Sequence, residues 1–361
     1  MLVKGKQIIR KDIKNILLIQ LGDIGDVVLS FPCIRALKEN FPESSIAVAV
    51  REKAKELIED CPWASRVISI SEEKRKLGKE IIYQKIFFSQ IRKLNFDLAV
   101  DLRTGTRGAI LALLSGARQR VGFYSMDGKL WRNRIFTHLA YLEGKPEQHM
   151  AEYYLNLLIT YGLKTDHICP EIEVPFKKLQ IAEELFRKED IPLDQPIVAI
   201  QPFSLWPYKE WGVDKYVDLI SRINDEYDLS IIITGTLNER NRADEITNSF
   251  GKNVHNFAGN TTIGVLAAVL KLCKLFIGGD SAGIHISSAV GTPTVSIFGS
   301  ASSVVWAPRG AQNKVVHKNL SCVPCDLKGC RGNGVSRCLD ELTVDEVLPI
   351  VKRQIERILD K

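Results

Sequence analysis

Apolar residues along this chain come in short runs separated by amphipathic stretches, and the alternation repeats from end to end. Residues 16–20 form one such run, ending in LGDIGD; VVLSFPCIRALKENFP then carries apolar positions at helical spacing until Pro42 stops it. Residues 46–50 and 67–70 read as further strands, 81–94 as a helix and 97–101 as the next strand. PEIEVP, at 170–175, breaks the pattern, and the charged helix KKLQIAEELFRKED leads into a second series. There the strands fall at 197–201, 230–234, 254–257, 275–279 and 294–298, with helices such as VDKYVDLISRIN and IGVLAAVLKLC between them. Strands covered by helices on both faces are apolar throughout, which is why alternating strand and helix predicts parallel sheets. The expected fold is α/β: two Rossmann-like doubly wound domains facing across a cleft, at 1–172 and 173–342. The amphipathic segment 343–361 is expected to return across the boundary and pack on the first half.

Length agrees with this division, because 361 residues exceed what one hydrophobic core usually supports. With 45% hydrophobic and 25% charged residues the composition is globular. No stretch approaches the roughly 20 apolar residues needed to span a bilayer. The start, MLVKGKQIIRKDIKN, lacks the apolar core and small-residue cleavage site of a secretory signal, so a cytoplasmic location is expected. The net charge of +6 is modest but unevenly spread: between Arg103 and Arg134 seven basic residues face one acid, Asp127. Such a patch suits an anionic partner, whether phosphorylated lipid, nucleic acid or sugar acid; a solvated face is the alternative. A non-catalytic nucleotide- or nucleic-acid-binding protein is disfavoured, since the chain has neither a Walker A pattern nor interleaved base-stacking aromatics.

Four segments carry candidate chemistry. In LGDIGDVV, Gly22 and Gly25 permit a tight turn after a strand, and Asp26 sits at a helix start where a carboxylate stays ionised and can face a ligand. A plain N-cap is the competing role for either aspartate. In QPFSLWPYKEWGVDKY, Ser204 and Lys209 lie on a strand-to-helix loop where a lysine can neutralise phosphate; a surface lysine among packing tryptophans fits equally. In IIITGTLNERNRA, Glu239 can accept from two ribose hydroxyls or simply favour the dipole of its helix. The fourth segment, LFIGGDSAGIHISSAVGTPTVSIFGS, is the most specific. Asp280, Ser281, Ala282 and Gly283 form a small-residue turn that lets a diphosphate reach backbone amides, and His285 follows on the helix, where a core histidine is the alternative.

Of eight cysteines, Cys322, Cys325, Cys330 and Cys338 cluster as C-x2-C-x4-C-x7-C. In a reducing compartment the spacing suggests a structural zinc or iron knuckle, with two disulfides or free thiols as alternatives.

Taken in order, LGDIGDVVLSFPCIRALK, FDLAVDLRTGTRGAILALLSGARQRVGF, KEWGVDKY, GGDSAGIHISSAVGTPTVSIFG and the cysteine cluster resemble the bacterial lipopolysaccharide heptosyltransferases over nearly the whole chain. The resemblance implies a GT-B architecture, with the acceptor bound by the N-terminal domain and ADP-heptose by the C-terminal one. It implies transfer of heptose to the anionic inner core of lipid A, with inversion and no catalytic metal, in the cytoplasm with room for peripheral contact at the inner membrane. Asp26, in Gly25-Asp26-Val27, matches the catalytic aspartate of the family. Lys209 matches its phosphate-binding lysine, Glu239 its ribose-contacting glutamate, and Asp280 through His285 its donor block. Ser204 joins the donor side, and Arg103, Arg107 and Arg120 are the expected acceptor-binding arginines beside Gly25. Ala282 stands where a glycine is usual, and Asp23 is an acid that many relatives lack. Some relatives glycosylate proteins, so a protein acceptor is the other enzymatic expectation.

Overall fold

The computed structural model describes residues 2–6, 12–73, 76–126, 130–141, 148–330 and 334–360. The chain divides into two compact units, Met1–Pro170 and Glu171–Lys361. The first holds strands β1 (Leu2–Lys4), β2 (Asn15–Gln20), β3 (Ser45–Arg51), β4 (Arg66–Ile70), β5 (Leu98–Asp101), β6 (Gln119–Phe123) and β7 (His138–Ala140). They form one sheet in the order β1-β7-β6-β5-β2-β3-β4, parallel except for β1, which runs antiparallel at the edge. From β2 the chain steps outward to β3 and β4, crosses back to β5 beside β2, and continues to β6 and β7. Loops leaving β2 and β5 therefore diverge, and the crevice at their carboxyl ends is where doubly wound sheets bind ligands.

The second unit repeats the plan. Its strands β8 (Ile197–Gln201), β9 (Ser230–Ile233), β10 (Val254–Asn256), β11 (Leu275–Gly279), β12 (Thr294–Phe298) and β13 (Lys314–His317) are ordered β10-β9-β8-β11-β12-β13, all parallel. Here the order reverses between β8 and β11. The central strands are apolar between polar ends: Ile16 to Ile19 and Val198 to Ile200 are fully buried, as helices on both faces require.

Three features are not read directly from the sequence pattern. Strand β6 opens with Gln119 and Arg120, so it looks polar although it lies between β5 and β7. The basic stretch from Arg103 to Arg134 is thus strand and helix in part, while Asp127 lies outside the described residues. Finally, the C-terminal helix, Val344–Leu359, falls within the second unit and packs on its core. Its stripe of Val344, Val347, Val351 and Ile355 is buried in the core of the second unit with Leu219, Ile223 and Leu342. Positions three and four apart share one helix face, and that face is covered by the helix Val213–Asn224 and by β11 to β13. Among the described residues no helix is long and apolar enough to cross a membrane.

Candidate active site

The loop after β2 is built around Asp26. A side chain at Gly22 would run into the Asp26 carboxylate, so only glycine fits there. Asp23 caps the helix Ile24–Leu29, and Asp26, third in the helix, accepts from the Asp23 amide at 3.0 Å, closing a capping box. The capping role is therefore real, and Asp26 has a further one. Its Oδ2 lies 2.8 Å from Arg103 Nη1, its Oδ1 accepts from the Tyr154 hydroxyl at 2.7 Å, and the side chain is only 11% exposed. Arg103 comes from the loop after β5, so the ion pair bridges the reversal point of the first sheet. Asp23 differs: half exposed, it pairs with Lys53 at 2.6 Å and Arg51 at 3.4 Å. Burial raises its pKa, but the bond to Lys53 and the charges of Lys53, Arg51 and Arg103 outweigh this and hold it below the ordinary range. Of the two acids, Asp26 is the one paired with Arg103.

Tyr154 gave no signal in the sequence. It is one apolar-face residue of the helix Met150–Thr160, and it is buried. Burial, then the charge of Asp26 and the bond to it, pushes the phenol well above its ordinary pKa, so it stays protonated and keeps donating.

Arg103 is held from behind. Asp101 Oδ1 accepts from the Arg103 amide at 3.1 Å, and Arg132 donates to the Arg103 carbonyl at 2.7 Å and the Phe123 carbonyl at 2.8 Å. Arg132 Nη2 and Asp101 Oδ2 are 3.5 Å apart, each side chain 1% exposed. Burial prevails over the nearby guanidinium and pushes Asp101 up to about 7. The other arginines of the stretch do not join Asp26. Arg120, half-buried, donates to the Ala117 carbonyl at 2.6 Å and the Ile135 carbonyl at 2.7 Å. Arg107 is exposed and donates to the Ser71 carbonyl at 3.3 Å. Gly25 lies in the first turn of the helix that carries Asp26.

In the second unit, loops from β8 and β11 meet in the same way. Lys209 Nζ lies 2.5 Å from Asp280 Oδ2 across the second reversal point, with Asp280 buried. Ser281 is the N-cap of the helix Ala282–Ala289, and its buried Oγ has no hydrogen-bond partner among the described residues. Beside it lie the amides of Ala282, Gly283 and Ile284, the donors that a helix start leaves without intrahelical partners. A side chain at Gly283 would meet Gln201 Oε1 and the Phe276 ring, so the glycine lets this helix close on the sheet. His285 is buried one turn in. Glu239 Oε2 accepts from the Thr236 amide at 2.6 Å and hydroxyl at 2.9 Å, a capping box; its carboxylate has further acceptor sites. The Ser204 loop has a support that the sequence hid. The Ser204 amide donates to Glu210 Oε1 at 3.0 Å, Glu210 pairs with Arg242 at 2.6 Å, and Arg242 lies 4.5 Å from the Phe203 ring centre.

The four clustered cysteines lie on the segment between β13 and the C-terminal helix, where the charges of Cys330 and Cys325 reach Cys338. Cys338 is drawn into the core beside Leu339 and Leu342, Cys322 is exposed, and Cys330 Sγ accepts from the Arg337 amide at 3.3 Å. All four are free thiols, and among the described residues no three His, Cys, Asp or Glu side chains gather to hold an ion.

A family model described as glycosyltransferase family 9 (heptosyltransferase) matches residues 85–335. Lipopolysaccharide heptosyltransferase 3 of Escherichia coli (strain K12) is 28% identical over 291 residues, covering 79% of this chain and 82% of that protein. Two solved structures share the fold. The family 9 glycosyl transferase of Veillonella parvula superposes with a TM-score of 0.80 at 19% identity, covering 96% of this chain and 98% of that one. Escherichia coli ADP-heptose lps heptosyltransferase II gives 0.77 at 19% identity, covering 95% and 99%. Because the family match spans more than half of its length, the chain belongs to glycosyltransferase family 9, the heptosyltransferases.

Proposed function

We propose that this glycosyltransferase moves heptose from ADP-heptose to the inner core of lipopolysaccharide at the cytoplasmic face of the membrane, with inversion and without an essential metal. The observation that carries the reading is the buried carboxylate of Asp26, fixed by Arg103 and Tyr154 at the mouth of the first sheet. Inversion needs a base on one face of the sugar to take the acceptor hydroxyl proton, and Asp26 is that base. Two oxygens give it about four acceptor sites, so it can bind the hydroxyl while retaining Arg103, Tyr154 and the Asp23 amide. Arg103, half exposed, also offers its outer nitrogens to a phosphorylated acceptor.

On the donor side, breaking the sugar–oxygen bond leaves negative charge on the diphosphate. Lys209, Ser281 Oγ and the amides at 282–284 supply preorganised positive and hydrogen-bonding groups for it, the task that a divalent ion performs elsewhere. Asp280 keeps the ammonium aimed before the donor arrives. Glu239 and Ser204 complete this side, the glutamate through the ribose.

Thermal shift with ADP-, UDP- and GDP-linked sugars, followed by nucleotide release with a lipid A precursor, tests the reading. ADP-heptose should stabilise the protein selectively, and turnover should survive a chelator. Selective stabilisation by a UDP- or GDP-sugar would replace the donor, transfer only to a protein would replace the acceptor, and loss of turnover with chelator would overturn metal independence.

A further inference from the structure

The helix Leu77–Arg92 is seated on the first unit by its inner side only, through Phe87, Phe88 and Ile91. Cavities of about 170 and 510 Å³ flank it. Four of its apolar residues stay open: Leu77, in the first turn, is 79% exposed and Ile81 48%, while Ile82 at 59% and Ile86 at 54% lie opposite the seated side. Single exposed apolar residues are ordinary; four large ones on successive turns of one helix form a patch. Lys79 and Lys85 are exposed among them. Between residues 74 and 93 seven basic residues face one acid, Glu80, which accepts from Gln84 Nε2 at 2.6 Å.

We propose that this helix is a docking surface for an anionic lipid bilayer, lying in the interface with its isoleucines among the acyl chains and its lysines at the headgroups. Interleaved lysine and large apolar residues on a helix too short to span are the pattern of an interfacial segment. A second copy of the chain is a poorer occupant. A two-fold contact through this face would set lysines against lysines, whereas anionic headgroups neutralise them. The position fits as well. Six residues separate the end of β4 from the start of the helix, at the carboxyl edge of the sheet. Its smaller cavity is lined by Leu21, next to the Asp26 loop, and by Arg107. A bilayer held there lies at the sheet end that carries the proposed base. The docking rests on the proposed function only in that a lipid-anchored acceptor gives it a purpose.

The test is sedimentation with vesicles of phosphatidylcholine, alone or mixed equally with phosphatidylglycerol, with neither donor nor acceptor present. The protein should partition to the mixed vesicles, less so as salt rises. Ile82→Asn with Ile86→Asn should lower partitioning by about tenfold or more, since each buried isoleucine contributes on the order of a tenfold factor. Lys79→Glu with Lys85→Glu should lower it and weaken the salt dependence. Because these side chains already face outward, melting temperature should not move, and turnover of a deacylated, water-soluble acceptor should be unchanged. Wild-type protein that stays in the supernatant overturns the proposal, as do variants that pellet equally. Self-association in analytical ultracentrifugation, abolished by the isoleucine changes and without vesicle binding, overturns it in favour of a second copy. Vesicle binding uses no substrate, so its failure leaves the transferase reading standing, and the converse holds.

Discussion

Asp26 and Arg103 meet at 2.8 Å across the point where the first sheet reverses its strand order. Lys209 and Asp280 meet at 2.5 Å across the equivalent point of the second. In each unit the two partners leave neighbouring central strands whose crossovers run in opposite directions. Each crevice therefore holds an acid paired with a cation from the neighbouring loop before any ligand binds. In the first the acid carries the proposed chemistry and the cation orients it; in the second the roles are exchanged.

Asp26→Ala should lower transfer by roughly 10²- to 10⁴-fold, the usual loss with a general base, and leave donor binding in the second unit nearly intact. Asp23→Ala should be far milder, because Asp23 pairs with Lys53 and Arg51 and not with Arg103. Steady-state kinetics with isothermal titration of ADP checks both. A crippled Asp23 variant beside an active Asp26 variant would reverse the assignment.

Tyr154→Phe removes only the hydroxyl that donates to Asp26 at 2.7 Å. Hydrogen bonds to charged groups contribute about 1.5–3 kcal/mol, so kcat should fall on the order of tenfold or more with the donor KM unchanged. A purely structural tyrosine would lower the melting temperature and spare kcat at permissive temperature.

Lys209→Ala and Asp280→Ala should each weaken donor affinity, the first through lost charge and the second through a misaimed lysine. Because the two touch, the double variant should lose less than the sum of the singles, in a cycle measured by donor binding. Near-normal binding in both single variants would remove the donor site from this crevice.

Asp101 links pH to stability. Its carboxyl is raised from 3.8 to about 7 in the folded protein, by burial that its contact with Arg132 only partly offsets. Between those values the folded state binds the extra proton, so this group makes the protein less stable as pH rises, and the effect levels off above 7. Asp101→Asn does not titrate there. Its melting temperature relative to wild type should rise across that window; a constant difference would show that Asp101 is already ionised in the fold.

The central strands were legible because a buried parallel strand must be apolar at every position, a local property that the chain states directly. Residues 16–20, 197–201 and 275–279 are such runs, and the glycines and aspartates after the first and the last, Gly22 to Asp26 and Asp280 to Gly283, marked the candidate ligand-facing turns. Strand β6 was not legible, since it takes its place from its neighbours and not from its opening residues, Gln119 and Arg120. Nor could charge counting sort the arginines. Arg103 faces Asp26, while Arg120 and Arg132 serve backbone carbonyls inside the fold. An arginine has five donors, and only the surrounding chain decides what they meet. Tyr154 lies 128 residues from Asp26, and Asp280 lies 71 from Lys209. Hydrophobic periodicity describes near neighbours along the chain, whereas these pairs exist only because the strand order brings distant loops to one crevice.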